Sequence, residues 1–256
     1  MKIVRFSQGL DPMYGILDEE ENEYVVLAGD PMFAGFETTG KRVPAAEARI
    51  LAPVIPRSKV VAVGKNYAEH AAEMGGEAPT TPLIFLKPNT SVIGPGDAIV
   101  LPPESNRVEH EGELAIVIGS IAKHVRAEDA ESVIFGYTIA NDVTARDLQR
   151  SDGQWARAKG YDTFCPLGPY IETELDWHDT AIETRVDGVT TQSGNTRDMI
   201  HKIPDIVAFA SSVWTLLPGD VILTGTPAGV GPFTHGQTVE VAIAGIGTLS
   251  NPARNR

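Results

Sequence analysis

The chain has 256 residues, 42% of them hydrophobic and 21% charged, which excludes wholesale disorder and fibrous repeats and leaves room for one large or two modest domains. Its 34 acidic against 21 basic residues give a net charge of -13, which argues against a protein that coats a phosphate backbone with cations. Nucleic acid is therefore not an expected partner, and a small anionic substrate would need a local cation or a bound metal.

The N-terminus, Met1-Lys2-Ile3-Val4-Arg5-Phe6, lacks an apolar stretch with a small-residue cleavage site, and no window approaches the roughly 20 apolar residues of a membrane span. The single Cys165 has no partner in the chain and reads as a buried, inert thiol in a reducing compartment. These features predict a soluble cytoplasmic protein.

Residues 2–7 and 23–27 alternate as strands do, around a turn-rich stretch at 9–22 whose run Asp18-Glu19-Glu20-Glu21 reads as a solvated hairpin tip. Pro44, Pro53 and Pro56 punctuate the next segment, so a small domain over 1–55 and a second unit over 56–256 are expected. Strand signals follow at 60–63, 83–87, 98–101, 114–118, 133–140, 170–172, 182–186, 221–224 and 239–243, two of them after Pro-Gly-Asp turns. Helical spacing is confined to 67–74, 144–150 and 204–214. The fold class is mainly β with a few short helices (α+β), without regular βαβ alternation.

In Glu111-Gly112-Glu113-Leu114 the period of two aims both glutamates at one face of a strand. Carboxylates so close repel unless a cation neutralises them, and all-oxygen ligation favours Mg, Mn or Ca over zinc. A lone Glu-x-Glu is also what an ordinary solvated face presents. Asp142 adds a third carboxylate at a strand-to-helix corner, where Thr144 and Asp147 are spaced as a capping pair; as a set, Glu111, Glu113 and Asp142 match a catalytic metal site with open positions.

His70 and Glu73 stand at i, i+3 on a short helix, where a carboxylate orients an imidazole and raises its basicity; a surface helix could carry the same pair by chance. Gly75-Gly76 then makes this stretch a candidate lid. The segment Leu223-Thr224-Gly225-Thr226-Pro227-Ala228-Gly229-Val230-Gly231 fits no nucleotide-binding fingerprint. Its N–H groups and the Thr226 hydroxyl could hold a substrate oxyanion, or its glycines could serve the turn alone.

Five segments in order resemble the fumarylacetoacetate hydrolase family, in its small form with a short N-terminal domain: Gly-Lys-Asn-Tyr-x-x-His at 64–70, Phe-Leu-Lys-Pro at 85–88, Glu-Gly-Glu-Leu at 111–114, Asn-Asp-Val-Thr-Ala-Arg-Asp-Leu-Gln at 141–149, and Leu-Thr-Gly-Thr-Pro-x-Gly-Val-Gly at 223–231. The resemblance implies a mixed β-roll or barrel core beside a small β-rich N-terminal domain, a homodimer, and Mg or Mn on Glu111, Glu113 and Asp142. It implies that His70 and Glu73 activate water with Lys159 in the catalytic set, that Arg146, Gln149 and Thr226 face the substrate, and that Lys87 lies near the site.

Three outcomes can follow from one metal-stabilised enolate of a 2-keto acid. The leading expectation is hydrolysis of the carbon–carbon bond of acylpyruvates, with oxaloacetate decarboxylation as an added activity. The alternatives are isomerisation or decarboxylation of 2-hydroxyhepta-2,4-diene-1,7-dioate in aromatic catabolism, and, in another class, metal and keto-acid binding without turnover.

Overall fold

The structure, a computed structural model, describes residues 1–9, 11–75 and 78–256. Its main sheet runs in the order Thr38–Pro44, Glu23–Leu27, Pro12–Asp18, Lys2–Ser7, Cys165–Glu172, Ile134–Asn141, Gly112–Ile118, Val221–Leu223, Val60–Gly64 and Leu83–Lys87. Neighbours are antiparallel throughout, except that Val221–Leu223 pairs parallel with Val60–Gly64. The N-terminal strands therefore extend the sheet that carries the later motifs, through Lys2 opposite Glu172 and Ile3 opposite Ile171.

Strand Gly112–Ile118 is buried along its whole length, and its period of two divides it between two apolar layers. Leu114, Ile116 and Ile118 join the larger layer with Ile206, Val207 and Ala210 of helix Ile203–Val213. Ala115 and Val117 join the other with Ile3, Val60, Ala62, Ala140, Cys165 and Leu167. Ile3 and Val60 lie on strands far apart in the sheet order, so the sheet curls around this second layer without closing. Glu113 lies on the same face, at the end of that layer, which places the polar site at one mouth of the roll.

A second sheet, Val189–Asn195, Ala181–Val186, Thr238–Ile243, Gly247–Asn255 and Ile99–Leu101, packs against the first. Val189–Asn195 is too polar for the alternation pattern to reveal. The usable signal is Asp187-Gly188, whose φ values of 49° and 79° suit a two-residue hairpin turn.

The mainly β expectation holds, and the acidic run 18–21 closes the hairpin in which Asp18 pairs with Glu23. The 9–22 stretch, however, contains a full strand, Pro12–Asp18, because Met13, Ile16 and Leu17 pack against neighbouring strands. The expected capping pair at 144 and 147 does not form. Thr144 turns its hydroxyl to Asp142 O and Glu111, while Asp147 accepts from Ser105 Oγ and the Asn106 N–H. The proposed lid falls partly outside the described residues, since Gly76 is not among them. No helix among the described residues is long and apolar enough to cross a membrane.

Candidate active site

Glu111 stands in the break between strands Val108–His110 and Gly112–Ile118, and Glu113 one pleat further on. Asp142 follows the partner strand Ile134–Asn141, and the Gly112–Asn141 register brings it opposite. Its backbone N–H donates to Glu111 O at 2.8 Å, tying the two ends together. One oxygen from each of Glu111, Glu113 and Asp142 lies within 4.8 Å of the others, and all three residues are buried. The solvated-face reading of Glu-x-Glu therefore does not hold.

Gly112 makes this approach sterically feasible. A Cβ there would stand 2.2 Å from Thr184 Oγ1 and 2.9 Å from Val241, so only glycine lets the second sheet come this close.

Three cations answer the carboxylates. Lys159, on the short helix Ala156–Gly160, donates to Asp142 Oδ2 at 2.6 Å and Glu111 Oε2 at 2.8 Å. Lys87, at the end of the edge strand, donates to Asp142 Oδ1 at 2.6 Å and to Lys159 O. Arg146 bonds Glu109 at 2.6 Å and also Glu111, and its remaining nitrogen donates to Gln149 Oε1 at 2.6 Å. Glu109 was not singled out in the sequence, although its spacing from Glu111 and Glu113 repeats the same period.

Burial favours the neutral form of Glu111, but the charges of Lys159 and Arg146 outweigh it and hold the carboxyl far below its usual range. Burial would likewise lower Lys159, and Asp142 and Glu111 more than reverse this. Glu113 behaves oppositely. Burial first, then the Asp142 and Glu111 charges, push its carboxyl well above the ordinary value, and its hydrogen bond is from the Gly225 N–H at 2.6 Å.

The charge balance tests whether a metal suits the site. Lys87, Lys159 and Arg146 pair with Asp142, Glu111 and Glu109, the last also paired with Arg107, whereas Glu113 has no cation partner among the described residues. A hard divalent cation on Glu111, Glu113 and Asp142 would supply that missing partner, and three carboxylates are the donor set that Mg or Mn prefers. The residues present fit such an ion.

A cavity of about 340 Å³ opens over this cluster. Glu111, Glu113, Arg146, Gln149, Lys159 and Thr226 line it, together with His70 and Glu73 from helix Ala68–Glu73. Lys87 and Asp142 lie one layer deeper. His70 is only 4% exposed, with Nδ1 3.2 Å from Glu73 Oε2. Lys65, Arg150 and Trp155 complete the wall, and sequence reasoning did not single them out.

The glycine-rich loop is hydrogen-bonded to the walls of the site. Gly225 N–H binds Glu113, Gly229 N–H approaches Glu73 at 3.3 Å, and the Thr226 hydroxyl donates to Gly112 O at 2.8 Å. Cys165 is buried beneath the site, and burial pushes its thiol up to about 12, so it remains a neutral thiol.

The sequence matches two family models: Fumarylacetoacetate (FAA) hydrolase C-terminal over residues 59–254, and Rv2993c-like, N-terminal over residues 1–53. It is 45% identical over 221 residues to the human mitochondrial oxaloacetate tautomerase FAHD2A, spanning 82% of this chain and 70% of that protein. The crystal structure of 5-carboxymethyl-2-hydroxymuconate delta-isomerase from Mycobacterium smegmatis superposes with a TM-score of 0.93 at 49% identity, covering all of both chains. Maleylpyruvate hydrolase from Sphingobium sp. SYK-6, solved with manganese(II) and pyruvate, gives a TM-score of 0.82 at 31% identity, covering 100% of this chain and 99% of that one. These relatives are enzymes acting on small keto acids or their enols. The carboxylate cluster, the fold and the match over residues 59–254 agree: the chain belongs to the fumarylacetoacetate hydrolase family.

Proposed function

We propose that the chain is a Mg- or Mn-dependent hydrolase that cleaves the C3–C4 bond of acylpyruvate-type 2,4-diketo acids. The observation that carries this reading is the His70–Glu73 pair in the wall of the cavity over the Glu111, Glu113 and Asp142 cluster. The ion, held by those three carboxylates, would supply a Lewis acid for the carboxylate and 2-keto oxygens of the substrate.

The chain's own groups then divide the remaining work. Glu73 accepts the Nδ1–H of His70, so in the neutral ring Nε2 carries the lone pair that takes a proton from water as it adds to the 4-carbonyl. Gln149 Oε1 is occupied by Arg146, so its amide N–H groups are the part left to stabilise the oxygen of that carbonyl. Lys159 uses two donors on Glu111 and Asp142 and retains a third. Returning the proton to C3 of the departing fragment completes a balanced hydrolysis to a carboxylate and pyruvate.

Arg146 and Lys159 are already paired with protein carboxylates, so attraction for an anionic substrate draws chiefly on the metal. The test is turnover of acetylpyruvate with Mg, followed by loss of enol absorbance and product identification. Acetate and pyruvate are expected to form, an excess of chelator to stop the reaction, and His70→Ala to slow it at least a hundredfold.

A second reading, isomerisation or tautomerisation of a 2-keto diacid, is favoured by the relatives at 49% and 45% identity, a delta-isomerase and an oxaloacetate tautomerase. It needs no activated water. Under that reading His70→Ala would keep much of the activity, and no carbon–carbon bond would break.

A further inference from the structure

Gln192 sits in the middle of the polar strand Val189–Asn195, fully buried, far in sequence from every motif that marks the site. Its amide uses all four of its hydrogen-bonding positions. Oε1 accepts from the Gly112 N–H at 2.9 Å and faces His110 Nδ1 at 3.2 Å; Nε2 donates to Pro227 O at 2.8 Å and to Thr226 Oγ1 at 2.7 Å. The orientation is fixed by two unambiguous backbone groups. Rotating the amide by half a turn would set its NH₂ against the Gly112 N–H and its oxygen against the Pro227 carbonyl.

That fixed donation has a consequence at the cavity. Thr226 Oγ1 accepts from Gln192, so its own proton cannot point back at Gln192. It can go only to Gly112 O, which it meets at 2.8 Å, or into the cavity that Thr226 lines. A hydroxyl that accepts a hydrogen bond is also a better donor. The backbone is packed to hold this geometry: a Cβ at Gly194 would lie 2.5 Å from Pro227 Cβ, and one at Gly229 would lie 2.1 Å from Thr191 O. The strand and the 226–229 loop are thus in direct contact on both sides of Gln192.

We propose that Gln192 is a positioning residue that aims the Thr226 hydroxyl as a donor to the substrate carboxylate. This rests on the reading of the cavity as a 2-keto acid site. On binding, the Thr226 proton moves from Gly112 O to a carboxylate oxygen, and the Gln192 bond keeps Oγ1 in place as it does so.

Binding of oxalate in the presence of Mg, measured by calorimetry, tests this without requiring turnover, and the KM of acetylpyruvate provides a second readout. Gln192→Leu is expected to weaken oxalate binding about tenfold and to raise KM by a similar factor, with kcat within threefold. Gln192→Glu keeps the size but places an acceptor beside Thr226, capturing its proton, so it should weaken binding at least as much. Thr226→Val should weaken binding about tenfold, and adding Gln192→Leu to it should change little more, because both act through one hydroxyl. Additive losses, or wild-type oxalate affinity in folded Gln192→Leu or Gln192→Glu, would overturn the proposal and leave the site reading intact. Absence of oxalate binding by the wild-type protein with Mg would overturn both.

Discussion

Lys159 Nζ lies 2.6 Å from Asp142 Oδ2, with both side chains buried, and the same ammonium group reaches Glu111 Oε2 at 2.8 Å. A lysine thus stands between two of the three carboxylates proposed to hold the metal. Removing one partner of a buried pair typically costs about 3–5 kcal/mol, because the other charge is left uncompensated. Lys159→Met is expected to destabilise the metal-free protein by about that amount, and added Mg to recover more stability in the variant than in the parent. Urea unfolding with and without Mg measures both. Equal stability of the metal-free variant and parent would show that Lys159 is not the counter-charge.

Gly112 is where sheet packing and site meet. A methyl group there would have to displace Thr184 Oγ1 from 2.2 Å and Val241 from 2.9 Å. Gly112→Ala should destabilise the fold by about 1–3 kcal/mol. Thr184→Ala in the same chain removes the nearer obstacle, and Thr184 Oγ1 has no hydrogen-bond partner to lose. The double variant should recover part of the loss; a strictly additive result in thermal or urea unfolding would contradict the clash.

Asp220 governs stability in acid. It is fully buried and accepts from Ser58 Oγ at 2.7 Å, Lys59 Nζ at 2.6 Å and the Leu217 N–H at 2.9 Å. Burial alone would raise its carboxyl, but Lys59 and these donors hold it below its ordinary value. A folded-state value below the unfolded one stabilises the protein above about pH 4, and that contribution disappears as pH falls through the folded value. Asp220→Asn should therefore be about 2 kcal/mol less stable at neutral pH and lose less on acidification. Unfolding curves between pH 7 and pH 3 provide the check, and parallel pH profiles for both proteins would refute it.

Substrate choice should involve cations that the carboxylate cluster leaves unengaged. Lys65 and Arg150 line the cavity and make no ion pair among the described residues, unlike Arg146 and Lys159. Arg150 is exposed, so its attraction for a distant charge is worth only about 1 kcal/mol. Arg150→Ala should raise KM about fivefold for fumarylpyruvate, which carries a second carboxylate, and leave acetylpyruvate nearly unchanged. Equal effects on the two substrates would place the distal charge elsewhere.

The clustering of Glu111, Glu113 and Asp142 was legible because it depends on local rules: a period of two along one strand and a corner at the end of its neighbour. His70 and Glu73 were legible through helical spacing. What escaped was set by contacts across the chain. Gln192 meets His110 at a separation of 82 residues, and only the fold-back of a polar hairpin brings it there. The helix carrying Lys159 has five residues, too few to show a period, so only the family resemblance, and no pattern in the sequence, points to that residue. The spacing of Thr144 suits a helix cap, but its hydroxyl instead donates to Asp142 O at 2.9 Å, a local bond within the corner that carries the site.

In the proposed hydrolysis water adds to the acyl carbonyl. The most direct measurement is turnover of acetylpyruvate with Mg in ¹⁸O-enriched water, with mass analysis of the products. Acetate carrying one solvent oxygen in its carboxylate is expected, and no acetate from His70→Ala at comparable times. Loss of enol absorbance with neither acetate nor pyruvate formed would contradict it and leave proton transfer as the chemistry of this site.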